Sequence, residues 1–169
     1  MVLTLPISSA ALCAMIFTAG ESGLSDNLAL AAGAAAVGCC CQMVGFAVIS
    51  FRENKWGGLV AQGIGTSMLQ MGNICRHPQI WIAPTLASAV CGPLSTVIFG
   101  LRCSGVNAGM GTCGMLSPWQ ILIDMNWSAN AWLGVFLLCI LLPAVISLAI
   151  NFVFEKIGFV KPGYMKLEL

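Results

Sequence analysis

NLALAAGAAAVGCCCQMVGFAVISF, residues 27–51, carries no charged side chain. A helix of about 20 apolar residues spans the hydrocarbon core of a bilayer, and an Asp, Lys or Arg at its centre costs about 2.5–3.5 kcal/mol. The stretch therefore reads as a membrane helix, ended by Arg52, Glu53 and Lys55. Its first half is rich in Ala and Gly, with Ala29, Gly33, Val37 and Cys41 one turn apart. Small residues at that spacing let helix backbones approach closely in lipid. This helix is expected to pack mainly against other helices.

The pattern recurs along the chain. Seven Lys or Arg and six Asp or Glu in 169 residues leave charge-free runs at 1–20, 27–51, 56–75, 78–101, 103–123 and 125–154. Mean hydropathy is +0.93 and 59% of residues are hydrophobic, against about 45–50% apolar in a soluble domain. The expected fold class is an all-α membrane protein of 4–6 transmembrane helices, with one or two re-entrant or broken Gly-rich segments. Residues 1–169 read as a single integral membrane domain. A net charge of +1 without a basic block argues against nucleic acid as a partner; the expected surroundings are the lipid bilayer.

Nine cysteines do not form a disulfide framework. Cys39, Cys40 and Cys41 are adjacent and point in three directions around a helix, and Cys13, Cys91 and Cys139 lie inside apolar runs. With no C-x-x-C pair and a single histidine, His77, metal-ligand spacing is absent, and neither a metal nor a cofactor is expected. Most of the thiols read as small buried hydrophobes; Cys75, Cys103 and Cys113, near loop ends, are the candidates for reactivity.

Four runs read as ordinary membrane helices: 2–20, 27–51, 79–101 and 131–154. The first opens near Pro6, without a basic leader or an A-x-A cleavage site, and this abrupt start suggests that something is missing before it. Pro84 and Gly92-Pro93 predict a kink or break in 79–101, because proline removes a backbone hydrogen bond. Pro143 lies midway along the last run, followed by a polar stripe of Ser147, Asn151 and Glu155. Trp119, Trp127 and Trp132 surround the polar 124–130 loop, as expected at headgroup level.

The other two runs are poor spans. In 56–75, Gln62, Thr66, Gln70 and Asn73 fall on one helical face, among Gly57, Gly58, Gly63, Gly65 and Gly72. Such a stripe must meet protein or water; it serves either interhelical hydrogen bonding or the lining of a solute path. In 103–123, Gly105, Gly109, Gly111 and Gly114 stand within ten residues, with Asn107 and Thr112 between them. Non-helical backbone persists in a bilayer only where protein covers it or a wet cavity solvates it. This is the case for a re-entrant loop, with tight glycine-mediated helix packing as the alternative. His77, in the Cys75–Gln79 turn, reads as an interfacial loop histidine, or else as a group in contact with solute or proton.

Orientation follows from Lys and Arg. The 52–55 loop and the C-terminal tail are the most basic, so both are expected in the cytoplasm, with the acidic 21–26 loop outside. The crossings between residues 55 and 156 are then even in number. Either 56–75 and 103–123 both span, giving six spans, or both are re-entrant, giving four.

Leu5-Pro6-Ile7-Ser8-Ser9, Ser50-Phe51-Arg52-Glu53-Asn54-Lys55-Trp56-Gly57-Gly58, Asn73-Ile74-Cys75-Arg76-His77-Pro78 and Ala108-Gly109-Met110-Gly111-Thr112-Cys113-Gly114 together resemble the membrane-embedded EIIC-like subunits of the bacterial sugar phosphotransferase system. The resemblance covers roughly residues 5–125 and looks like that family's C-terminal half, so the chain would be half of a larger duplicated transporter. It implies a multi-pass protein of the bacterial inner membrane, a homodimer or a complementary membrane chain as partner, and a site built from interrupted helices. It departs from the family in having no glutamate or histidine obviously inside the membrane, since Glu21, Glu53, Glu155 and His77 all look interfacial, and no segment long enough for a phosphoacceptor domain.

The functional expectation is a transporter subunit moving a small polar solute, with a sugar as candidate. Gln62, Thr66, Gln70 and Asn73 would hydrogen-bond it, and Asn107, Gly109, Gly111 and Thr112 would complete the site. The alternative is a non-transporting half-subunit or regulatory partner docked to another membrane protein through the 29–41 face. A membrane enzyme is disfavoured, because no catalytic cluster is present.

Overall fold

The computed structural model describes residues 25–103, 105–160 and 163–166, and within them the chain is helical. The expected helix at 2–20 lies outside the described residues. The helices are α1 (Ser25–Ile49), α2 (Phe51–Val60), α3 (Met71–Arg76), α4 (Ile82–Val97), α5 (Leu116–Asp124), α6 (Ala129–Gly134) and α7 (Leu142–Ile157). Among the described residues, three stretches are long and apolar enough to cross a membrane: Asn27–Ile49, Pro78–Val97 and Ala129–Ile157. The first is α1, the second a 3₁₀ turn (Pro78–Trp81) continuing into α4, and the third α6 and α7 joined by a π-helical segment, Val135–Leu141.

α1 is the hub, packing on α4, α7 and the π segment. The stripe of small residues explains how. A Cβ at Gly33 would overlap the Leu101 carbonyl, and one at Gly45 would lie 2.8 Å from Ser147 Oγ and 3.0 Å from Pro84 Cβ. The three long elements therefore meet at Gly45, and the loop after α4 closes over Gly33. Val37, Cys40 and Cys41 are fully buried there, with Cys91 and Cys139 in the same core. Gly33, Val37 and Cys41 of the 29–41 seam are thus covered by the chain itself, whereas Ala31 and Ala35 are exposed.

The proline expectations divide. α4 runs through Pro93 without a break, and Ser95 and Thr96 hydroxyls donate to the carbonyls of Gly92 (2.6 Å) and Pro93 (2.9 Å). Pro143 instead follows the wide turn. Leu142 N–H bonds back five residues to Leu137 O. In that register the partner of Leu138 O is the nitrogen of Pro143, which carries no hydrogen. Cys41 Sγ donates to that carbonyl instead, at 3.7 Å, so one thiol of the Cys39–Cys41 run does more than fill space.

The chain ends of the spans sort into two groups. Phe46, Ile49, Ile80, Val160 and Met165 form one buried cluster, and Arg52 pairs with Glu155 at 2.8 Å. The end of α1, the start of the second span and the end of the third therefore lie together, at what is here termed the tail end. At the far end, Cys103 N–H donates to Ala29 O at 3.1 Å and Gly134 packs on Phe99 and Leu101. Residues 50–77 thus leave and return at the tail end, and residues 103–128 leave and return at the far end. The exposed tryptophans fall at the ends: Trp119, Trp127 and Trp132 at the far end, with Trp127 in contact with both of the others, and Trp56 and Trp81 at the tail end.

Replacing Gly33 with Ala is expected to lower thermal stability in detergent, since the Leu101 backbone must shift. Gly38→Ala, with open space at its Cβ, is expected to leave it unchanged or raise it by up to about 1 kcal/mol from helix propensity. Equal melting temperatures for the two variants would remove Gly33 from the packing argument.

Candidate functional site

Both Gly-rich segments are locally irregular. Lys55 has φ 50°, which bends α2. A π turn (Ala61–Gly65) then gives way to extended Thr66, whose hydroxyl accepts from Met68 N–H at 3.2 Å and caps a 3₁₀ turn, Ser67–Gln70. The predicted single polar face of 56–75 is therefore divided over three short elements. On the other side, 3₁₀ turns at Gly105–Gly109 and Cys113–Met115 precede α5. Gly111 (φ 62°) has no room for a side chain: its Cβ would lie 3.0 Å from both the Cys39 carbonyl carbon and Met43 Sδ. Cys39–Met43 is six to ten residues further along α1 than Gly33, or about 9–15 Å deeper at about 1.5 Å per residue. The far-end segment thus reaches the middle of α1, where its Cys113–Met115 turn packs on the Ala61–Gly65 turn from the tail end.

The eight residues singled out from sequence fall into three places. Gln62, at the junction, is fully buried and donates to Ser50 Oγ at 2.9 Å. Thr112 is 2% exposed. Gln62 Oε1 and Thr112 Oγ1 have no hydrogen-bond partner. Such atoms cost about 1–3 kcal/mol each when left unpaired in a protein interior, and the two segments each supply one. Gly111 holds the second segment against α1, and Gly109 stands at the end of the preceding turn. Asn107 lies apart: its Nδ2 donates to Gln120 Oε1 at 3.0 Å, Gln120 Nε2 donates to Asp124 Oδ1 at 2.9 Å, and the Ser117 hydroxyl donates to Asn107 O. This network ties the far-end loop to α5. Thr66 serves as a cap.

Gln70 and Asn73 belong to a third group at the tail end, which sequence reasoning did not assemble. Gln70 is fully buried; its Oε1 accepts from Asn73 Nδ2 at 2.8 Å and its Nε2 donates to Met165 O at 3.0 Å. Asn73 Nδ2 also donates to Lys166 O at 3.0 Å, and Asn54 Nδ2 to Met165 O at 2.7 Å. Glu53 accepts from the main-chain N–H groups of Gly163 (2.6 Å) and Met165 (2.9 Å). The His77 ring stacks on Tyr164 at 3.7 Å with an interplanar angle of 3°. Glu53 and His77, expected as separate interfacial groups, therefore line one groove with two carboxamides of the polar stripe and Asn54. Their presence in the quoted 50–58 and 73–78 motifs was the available signal; their meeting across the tail was not legible from spacing.

Of the thiols considered for reactivity, Cys75 is exposed, Cys113 half-buried and Cys103 buried. A shallow apolar depression lined by Pro78, Trp81, Ile82, Thr85 and Leu86 lies beside the start of α4.

Among the described residues, three helices long and apolar enough to span, with two irregular segments that start from opposite ends and meet between them, make an all-α integral membrane protein. The family model described as phosphotransferase system, EIIC, matches residues 1–167. The chain belongs to that family, as a membrane transporter subunit of the sugar phosphotransferase system. The match extends beyond the residues 5–125 on which the resemblance rested. No curated protein and no solved structure gives a significant match.

Ser50→Ala is expected to destabilise the protein by about 1–3 kcal/mol, because it strands Gln62 Nε2 in the interior. The double variant Ser50→Ala/Gln62→Leu is expected to recover part of that loss in a double-mutant cycle of thermal unfolding. Strict additivity would show that the pair does not interact.

Proposed function

We propose that this chain conducts a small polar solute, of the sugar class, past the junction of residues 61–65 and 111–115, with 50–77 and 103–128 acting as re-entrant segments from opposite membrane faces. The observation that carries the reading is that two buried, unpartnered polar atoms, Gln62 Oε1 and Thr112 Oγ1, lie one on each segment where the segments meet; the other two among the described residues, Gln42 Oε1 and Ser147 Oγ, lie on the spans α1 and α7. A polyhydroxy solute supplies the donors and acceptors these atoms lack. Gln62, Thr66, Gln70, Asn73 and Thr112 remain its candidate contacts, with the main chain near Asn107, Gly109 and Gly111. Glu53, Asn54 and His77 join them at the tail-end mouth. A carboxylate accepts hydroxyl protons and carboxamides both donate and accept, so this mouth suits a neutral polyol better than an anion.

The tail end is the cytoplasmic end in this reading. Arg52, Lys55, Arg76, Lys156 and Lys166 gather there, whereas Arg102 stands at the other end among the described residues, and basic residues in short loops mark the cytoplasmic side. The membrane is the bacterial inner membrane. The exposed apolar faces of the second and third spans, including Leu86, Val90, Phe136, Val145 and Phe152, face lipid and either a second copy or a complementary chain.

Uptake of a radiolabelled sugar into proteoliposomes tests the reading. Gln62→Leu and Thr112→Val are each expected to reduce uptake about tenfold, the equivalent of one hydrogen bond of about 1.4 kcal/mol, with normal membrane insertion. Parent-level uptake in Gln62→Leu and Thr112→Val together would refute the junction as the path.

A further inference from the structure

The groove at the tail end is occupied by the chain's own backbone. Four side chains from the 53–73 region bind main-chain atoms of residues 163–166: Glu53 takes two N–H groups, Asn54 and Gln70 share the Met165 carbonyl, and Asn73 takes the Lys166 carbonyl. Tyr164 covers His77 face to face, and Met165, 3% exposed, anchors the strip among Phe46, Ile49, Ile80 and Val160. The polar contacts recognise a peptide backbone, not a particular side chain. The stretch is bounded by glycines in the left-handed region, Gly158 (φ 78°), which ends α7, and Gly163 (φ 102°), where the strip begins. Both positions tolerate the sharp turns that lay the tail back over the bundle.

We propose that residues 163–166 are a tethered gate: when docked, their main chain takes up the hydrogen-bonding groups of Glu53, Asn54, Gln70 and Asn73 that a polyol would use, and release of the strip opens the groove. This rests on the groove being the mouth of the solute path. A short tether gives a docked segment an effective concentration in the millimolar range. Solute must therefore either compete with the tail or wait for its release, and apparent affinity falls with the closed fraction. The contacts made by side chains of the strip are the Tyr164 ring and the Met165 anchor, so these positions set how firmly the gate closes without touching solute.

The test uses the full chain with Cys75→Ser, to remove the exposed thiol, and Met165→Cys as reporter. In nanodiscs, a water-soluble maleimide is expected to label position 165 slowly. Glu53→Gln and Tyr164→Ala are expected to accelerate labelling about tenfold or more, the loss of one charge-assisted or stacking contact, whereas Tyr164→Phe, which keeps the ring, leaves it slow. A nitroxide at Lys166→Cys provides a readout independent of the Met165 anchor, immobile in the parent and mobile in the same two variants. In proteoliposomes, Tyr164→Ala is expected to raise uptake of D-glucose, D-galactose or D-mannitol severalfold, with Tyr164→Phe at the parent rate. Rapid labelling and a mobile nitroxide in the parent would overturn the docked strip. Slow labelling with uptake in Tyr164→Ala at or below the parent rate would make the strip a structural strap and overturn the gate. Absence of uptake of these sugars by every variant, with labelling still dependent on Glu53 and Tyr164, would overturn the solute reading and the gating role while leaving the docking intact.

Discussion

The close approach of other backbones to α1 is the constraint on which the rest depends. At Gly33, Gly45 and, from the other partner, Gly111, there is no volume for a side chain between α1 and what crosses it. In lipid there is little hydrophobic drive to bring helices together, so dispersion at short range and hydrogen bonds must do it. Gly33 admits the loop after α4, Gly45 admits α4 and α7 at one level, and the Cys39–Met43 turn admits Gly111. Remove the seam and the two irregular segments lose the surface that shields them.

That shielding matters because irregular segments release backbone polar groups that lipid cannot satisfy. The chain answers locally. A hydroxyl caps the turn at Thr66, Ser117 and Gln120 hold the loop around Asn107, and a cysteine thiol serves the carbonyl that Pro143 leaves open. Four buried side-chain atoms among the described residues stay unpartnered: Gln42 Oε1 on α1, Ser147 Oγ on α7, and Gln62 Oε1 and Thr112 Oγ1, which lie where segments from the two ends touch.

The tail-end groove shows how interfacial residues become a site. Glu53, Asn54, Gln70, Asn73 and His77 come from three short elements separated by breaks at Lys55, Thr66 and His77. Each break redirects the chain, and together they aim five polar side chains at one short strip, residues 163–166. A continuous helix over 56–75 would have set Gln62, Thr66, Gln70 and Asn73 in a line. The breaks instead send Gln62 inward to Ser50, use Thr66 as a cap and leave Gln70 and Asn73 with the tail.

Charge spacing by itself marked this as a membrane protein, picked out 27–51, 79–101 and 131–154 as apolar stretches long enough to span, and set 56–75 and 103–123 apart in kind. Those conclusions rest on transfer free energy and on glycine's effect on helices, both of which are local. The small-residue seam was also legible, because helical periodicity alone places Ala29, Gly33, Val37 and Cys41 on one face. Only the tertiary structure decided that 50–77 and 103–128 each return to the end they left, since an even number of crossings is satisfied equally by both spanning or neither. It also decided that the eight polar candidates divide into a junction, a far-end network and a groove. The groove joins residue 53 to residue 165, and hydrogen bonds between groups so distant in sequence leave no periodic trace: they exist only once the first and third spans bring their ends together.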